Sequence, residues 1–297
     1  MTHLLPHSTQ FSWPNKARLA FSLVINVEEG SEYNITEGDR GMEPVDELQV
    51  HVGKPIRNYG NESNYRYGLS EGAARILKLI DKYRIPATWT AAAVSLERTP
   101  WLADAIKSRG DEVCSHGYRW IHQFRMKEDE EREFIQNAID SITNTTGTRP
   151  YGWLSRYLLT DNTRRLLQEM GFTYHMDDYS GDCPFWSMDQ GVKEPMLIMP
   201  YALDSNDMKM WVSPAYTPDM WLKYAIDTFE TLYAEGSEQP RMMSLGLHLR
   251  IIGRPGRIWA LKAFLDHVSS KPGVWFSTRL SIAEHFANEV PVGEAVL

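Results

Sequence analysis

Apolar, strand-like runs alternate with amphipathic helical stretches along almost the whole chain, and this alternation constrains the fold more than any other feature. Residues 18–27 open the series as a nearly unbroken apolar and β-branched run, the pattern of a strand covered on both faces. Further strands are predicted at 87–94, 112–115, 151–154, 172–176, 196–203, 243–249 and 274–277. Helices are predicted at 70–83, 100–109, 128–143, 161–170 with Asp161 as N-cap, 220–233 and 258–268, with one more closing the chain. This order calls for parallel strands joined by right-handed crossovers. About seven or eight such strands predict an α/β architecture, a distorted (β/α) barrel, rather than an open sheet. A single catalytic domain over residues 1–297 is expected. No Gly-x-Gly-x-x-Gly follows the first strand, so a dinucleotide site is not indicated.

One segment interrupts the rhythm. Residues 28–67 are polar and rich in Gly, Asn, Glu and Tyr. A loop of that length inside a compact domain is functional or disordered. Its Tyr33, Tyr59, Tyr65 and Tyr67 favour an ordered loop on the substrate side.

Charge and composition narrow the partners. A net charge of -8 argues against a nucleic-acid surface. No apolar run approaches the length of a membrane span. The N-terminal residues lack a basic segment followed by an apolar one, so no secretory signal is expected and the location is read as cytoplasmic. In that setting Cys114 and Cys183 are read as reduced thiols. The expected partner is therefore a small-molecule substrate, with no nucleic acid and no membrane. Trp221 and Trp259 on exposed helices could form an interface in a homo-oligomer.

The chemistry sits at three predicted strand ends: Asn26-Val-Glu-Glu29, Ser115-His-Gly-Tyr-Arg-Trp120 and Gly246-Leu-His248. A barrel delivers catalytic groups at the C-terminal mouth of its strands. Together these strings resemble the polysaccharide deacetylase superfamily, over nearly the whole chain. Its members are expected to carry acidic residues after the first strand, one a base and one a metal ligand, then His-x-x-x-His and a late Leu-His. Here Asn26 takes the place of the base aspartate, Glu28 that of the ligand aspartate, His116 that of the first histidine and His248 that of the late one. Trp120 stands where the second histidine belongs. These departures, with Asn61-Glu-Ser-Asn-Tyr-Arg-Tyr-Gly68, Asp204-Ser-Asn-Asp207 and Gly246-Leu-His-Leu-Arg-Ile-Ile-Gly-Arg-Pro-Gly-Arg257, are similar to the bacterial allantoinases of deacetylase type. That resemblance implies metal-independent hydrolysis of a cyclic ureide. Residues 152–160 depart from the pattern, and this loop is expected to line the pocket.

Hydrolysis of a ring amide needs a base for water, a stabiliser for the oxyanion and an acid for the leaving nitrogen. Glu28 is the expected base, its pKa raised by desolvation, although adjacent acids after a strand are commonly solvated. Glu29 shares that candidacy, but alternation along a strand lets only one of the two face the mouth. His116 and His248 are expected to supply the acid and the carbonyl polariser. Substrate binding is assigned to Glu29, Arg119, Trp120, Arg156, Asp178 and Trp186, with the arginines offering paired donors to ureide oxygens. Each has a bland alternative. Trp120 could be core, Asp177 and Asp178 a helix cap or salt bridge, and 254–257 a turn opening a helix.

A bound divalent cation such as zinc would have Glu28 and His116 as ligands and lack a third, since His122 lies about 240° round a helix from His116. No cofactor is therefore expected. The competing readings are a metal-dependent N-deacetylase of a sugar or polysaccharide, and a non-catalytic barrel scaffold.

Overall fold

The structure, a computed structural model, describes residues 3–4, 11–47, 49–50, 54–188 and 192–292. The N-terminal segment read above for a signal lies largely outside the described residues. The strands are β1 (His3–Leu4), β2 (Leu19–Val27), β3 (Ala87–Ala91), β4 (Glu112–Ser115), β5 (Gly152–Trp153), β6 (Tyr174–His175), β7 (Phe185–Met188), β8 (Met196–Ile198), β9 (Arg241–His248) and β10 (Val274–Phe276).

They form one curled sheet, a half-barrel, in the order β1-β7-β8-β6-β5-β4-β3-β2-β10, with β9 also on β2. Every residue of β2 is buried, as its unbroken apolar run requires. β9 pairs with β2 from Leu19↔Arg241 to Asn26↔His248. The other edge of β2 is shared: β10 pairs with its first residues and β3 with its last. This register sets Asn26 and His248 side by side at the mouth.

The predicted parallel barrel is thus right in kind but not closed. β1 and β7 are antiparallel to their neighbours, against the all-parallel expectation. β7 alternates buried and half-buried residues, Phe-Trp-Ser-Met, over only 4 residues. So short an antiparallel strand leaves little periodicity to read. On the open side a backbone bond from Met242 N–H to the Asp182 carbonyl, 2.8 Å, ties β9 to the segment before β7.

Other boundaries move for local reasons. The strand predicted at 87–94 stops at Ala91, because Ala93–Arg98 is helical. Asp161 is not a cap. The helix runs Thr163–Glu169 from Asn162, which makes no side-chain cap bond. Trp221, expected on an exposed face, is fully buried, and its indole donates to the Ser205 carbonyl at 2.9 Å. Trp259 is exposed. Both cysteines are free. Among the described residues no helix is long and apolar enough to cross a membrane.

The long polar stretch is ordered where described. It ends in a helix, Tyr59–Tyr67, capped by the Asn58 side chain, which accepts from the Asn61 N–H at 3.0 Å. A π-turn at Gly68–Gly72 carries the chain into Ala73–Tyr83. Gly72 is required here: a Cβ would come within 2.1 Å of the Leu249 carbonyl. The absence of a side chain lets this turn pack directly on the segment following His248.

Candidate active site

Glu28 follows β2 directly and is 2 % exposed. Its Oε2 accepts from Arg250 Nη1 at 2.7 Å, and its Oε1 lies 3.3 Å from His248 Nε2 and 3.6 Å from His116 Nε2. Burial alone would raise its pKa, but the Arg250 guanidinium and His248 outweigh burial and hold it well below the ordinary carboxylate range. The expectation of a raised value is therefore overturned for Glu28. Desolvation follows from the strand's burial, while the compensating cation lies 222 positions away along the chain.

Glu29 is the carboxylate whose pKa is raised, by burial that Arg250 only partly offsets and by the neighbouring Glu28. Its oxygens accept from the backbone N–H of Arg250 and of Glu28, each at 3.1 Å. It is fully buried and does not line the cavity, so it supports Arg250 instead of touching substrate.

His248 ends β9. Its Nδ1 sits 2.7 Å from Asp207 Oδ1, and its backbone N–H donates to Asp207 Oδ2 at 2.8 Å. Burial disfavours the imidazolium, but Glu28 and Asp207 together raise its pKa to about 9. His248 is therefore a cation near neutral pH. Asp207 has no role that its own string, Asp204-Ser-Asn-Asp207, makes visible. Its role depends on a contact across 41 positions.

His116 is wired differently. Nδ1 lies 2.6 Å from the Leu154 carbonyl, and a carbonyl only accepts, so the ring proton is on Nδ1. Nε2 receives the indole N–H of Trp120 at 3.1 Å. An indole only donates, so His116 is held as the neutral Nδ1–H tautomer.

Trp120 is 1 % exposed and forms part of the cavity wall. The Arg156 guanidinium covers its ring at 3.7 Å. Arg156 is itself fixed by the Glu43 carboxylate at 2.5 and 2.8 Å and by the Trp120 carbonyl at 2.7 Å. Glu43 thus reaches from the long loop into the site, another partner not visible from sequence.

Glu28, His116, Trp120, Arg156 and His248 line a cavity of about 210 Å³ with Asn26, Ser155, Tyr157, Tyr201 and Asn206. Residues 154–157 form one wall, as expected for the 152–160 loop. Tyr157 adopts φ 60° there, an uncommon conformation for an aromatic residue and one that concentrates at functional sites.

Three expected binding residues point elsewhere. Arg119 pins the long loop: its Nη groups bind Asp39 at 2.6 and 3.0 Å and the Glu32 carbonyl at 2.8 Å. Asp178 closes a turn by accepting from Ser180 N–H at 2.9 Å. Trp186 donates to the Val290 carbonyl at 2.8 Å and packs near Phe286. All three were inferred from proximity in sequence to strand ends, but a side chain's direction after the strand depends on the turn that follows. Arg254 and Arg257 join Arg119 in holding the loop: Arg254 covers Tyr67 at 3.6 Å and Arg257 binds Glu47 at 2.9 Å.

The donor set does not fit a divalent cation. Glu28 already binds a guanidinium, the Nε2 lone pair of His116 receives an indole N–H, and His248 is cationic. Among the described residues no group of three or more His, Cys, Asp or Glu is placed to hold a metal ion. The Arg250 guanidinium lies among rings, 4.2 Å from Tyr65, 5.1 Å from Trp211 and 5.6 Å from Trp120.

A half-barrel with acid and histidine groups at its strand mouths defines a hydrolase scaffold of the deacetylase type, and the chain belongs to the polysaccharide deacetylase family. The polysaccharide deacetylase family model matches residues 63–175. A Schizosaccharomyces pombe protein named "Putative polysaccharide deacetylase" is 35% identical over 299 residues, 94% of this chain and 93% of that one. The crystal structure of PuuE allantoinase superposes with a TM-score of 0.89 at 43% identity, covering 94% of this chain and 93% of its own. A Pseudomonas aeruginosa PAO1 structure titled "probable Polysaccharide deacetylase" superposes with a TM-score of 0.88 at 40% identity, covering 94% of each chain.

Proposed function

We propose that this protein hydrolyses a ring amide of a small cyclic ureide, allantoin to allantoate, without a metal. The observation that carries the reading is the 2.7 Å contact of Arg250 Nη1 with Glu28 Oε2. A fixed guanidinium stands beside the carboxylate that the deacetylase pattern gives to a metal. The likeness to a solved allantoinase supports the choice of ring.

Glu28 and His248 divide the proton transfers. Glu28, ionised, takes a proton from water as the water oxygen bonds to the ring carbonyl carbon. The carbonyl oxygen becomes the oxyanion of a tetrahedral intermediate. The C–N bond then breaks, and the leaving nitrogen takes the Nε2 proton of cationic His248. Glu28 returns its proton to His248 across 3.3 Å, so both groups regain their starting states. Glu28 is a weak base at its lowered pKa. Its contribution is position, with water held against the carbonyl between two imidazoles. His116 cannot donate from Nε2 as it is bonded here, so it fixes Trp120 and offers a polar wall. Arg156, anchored by Glu43, is a donor available to ureide oxygens.

N-deacetylation of a sugar is the second reading, favoured by the names of the relatives. One of these is a Helicobacter pylori protein named "Peptidoglycan deacetylase", 27% identical over 255 residues. The deciding experiment is hydrolysis of allantoin after exhaustive chelation, with the ring-opened product followed directly. Undiminished turnover is expected. Activity lost on chelation and restored by zinc favours the second reading, and no turnover under either condition removes allantoin as substrate.

A further inference from the structure

The proposed reaction requires a donor for the oxyanion, and His116, one of the two histidines expected to polarise the carbonyl, has its Nε2 engaged by the Trp120 indole. Tyr201 lines the cavity beside Asn26, Asn206 and His248. Its hydroxyl oxygen accepts from Asn26 Nδ2 at 3.0 Å and from Asn206 Nδ2 at 2.8 Å.

Both amides are fixed in that sense. Asn26 Nδ2 also donates to the Leu247 carbonyl at 3.0 Å, and its Oδ1 accepts from the Thr90 hydroxyl at 2.6 Å. Asn206 Oδ1 accepts from the Met208 N–H at 2.8 Å. Neither amide can be turned without setting oxygen against a carbonyl or N–H against N–H. A phenol oxygen with two N–H groups on its lone pairs has only its own proton left to give. Among the described residues that proton has no acceptor. Gly246 makes room for the arrangement: a Cβ there would fall 2.1 Å from the Tyr201 oxygen and 2.6 Å from Asn206 Nδ2.

We propose that the Tyr201 hydroxyl donates to the oxygen that becomes negative at the reacting carbon, and that Asn26 and Asn206 are positioning residues that hold it as a donor. Asn26 is then more than a lost base. An aspartate in its place would accept the Tyr201 proton and withdraw it from substrate. The inference rests on the proposed amide hydrolysis but not on the identity of the ring, because an acetyl amide passes through the same kind of oxyanion.

The test is kcat and KM for allantoin in the wild type, Tyr201→Phe, Asn26→Asp and the double variant, with folding followed by near-UV circular dichroism. Tyr201→Phe is expected to lower kcat by about 10²- to 10³-fold with little change in KM, the size of a lost oxyanion donor. Asn26→Asp should lose about as much, and the double variant little more, since both act on one proton. Asn206→Asp repeats the test from the other side if either variant fails to fold. Wild-type kcat in Tyr201→Phe, activity kept or raised in Asn26→Asp, or losses that multiply in the double variant would each overturn the inference while leaving the ureide reading in place. If the wild type spares allantoin but hydrolyses N,N′-diacetylchitobiose, the ureide reading fails and the same variants decide Tyr201 on the acetyl amide. A wild type inert on both overturns both.

Discussion

The indole N–H of Trp120 points at Nε2 of His116 across 3.1 Å. A residue that replaces a metal-binding histidine in the family pattern therefore occupies, as a hydrogen-bond donor, the lone pair its neighbour would give to a metal. His116 should show the neutral Nδ1–H tautomer in long-range ¹H–¹⁵N spectra of histidine-labelled protein. Trp120→Phe should release that restraint. Trp120→His should not create a stoichiometric zinc site, because Arg250 still binds Glu28. Zinc bound one-to-one by Trp120→His, read by metal analysis after gel filtration, would refute this.

The cationic state of His248 sets an alkaline limit. Its pKa in the folded protein, about 9, lies above the ordinary 6.5. Its contribution to stability is therefore complete below about 6.5 and lost as pH rises through about 9. The alkaline limb of kcat/KM should fall in the same window, as the proton donor is lost. Asp207→Asn removes one of the two raising carboxylates and should move that limb down by about one pH unit or more. An unmoved limb would take the proton-donor role from His248.

Arg250 neutralises two buried carboxylates. Arg250→Met should destabilise the fold by about 3–5 kcal/mol, since Glu29 would lose its cation and Glu28 would keep only His248. The pH dependence distinguishes this from lost packing. In the wild type the lowered pKa of Glu28 gives stability present above the unfolded value and lost as pH falls through the folded one. In the variant the folded value of Glu28 should rise, since only the histidines still lower it, and that of Glu29, already raised, should rise further, so the variant should regain stability relative to the wild type as pH falls. Melting curves from pH 8 to pH 5 should show the gap between the two proteins narrowing toward acid. A constant gap would mean that charge is not the cause.

Arg119 holds a loop, not a ligand. Arg119→Ala should leave KM for substrate within about threefold, because no contact with the reacting site is removed. Its ion pairs are partly solvated, so the stability loss should be small, about 1 kcal/mol. Faster amide exchange is expected across residues 32–39, next to the Asp39 and Glu32 contacts. A large rise in KM with unchanged exchange would restore Arg119 to the binding site.

Glu28→Gln separates the proposed base from the framework around it. Turnover should fall at least about 10³-fold, since the proton acceptor for water is lost. Arg250 can still donate to the amide oxygen, so folding should persist. Wild-type turnover in this variant would move the base elsewhere.

Part of the site was legible in the chain. Glu28, His116, Trp120, Arg156 and His248 all meet at one cavity, because strand ends can be located from apolar runs and a barrel gathers them at one mouth. Arg119, Asp178 and Trp186 lie close in sequence to such ends, yet their side chains leave along turns whose geometry no periodicity encodes. Arg250, Asp207, Glu43 and Tyr201 went unassigned for the opposite reason. Asp207 and Arg250 belong to strings that carry the resemblance, but each of the four gains its role from a partner far along the chain.

The sequence by itself determined the order of the parallel strands and of the longer helices between them, the burial of β2 and the strand ends that carry acid and imidazole, since these follow from local hydrophobic period and chain connectivity. Only the tertiary structure decided which charges and hydrogens those groups hold. Arg250 lowers the pKa of Glu28, Asp207 keeps His248 protonated, Trp120 occupies His116, and two asparagines orient Tyr201. Protonation depends on the field at a point in space, and that field is assembled from residues that only folding brings within hydrogen-bond distance.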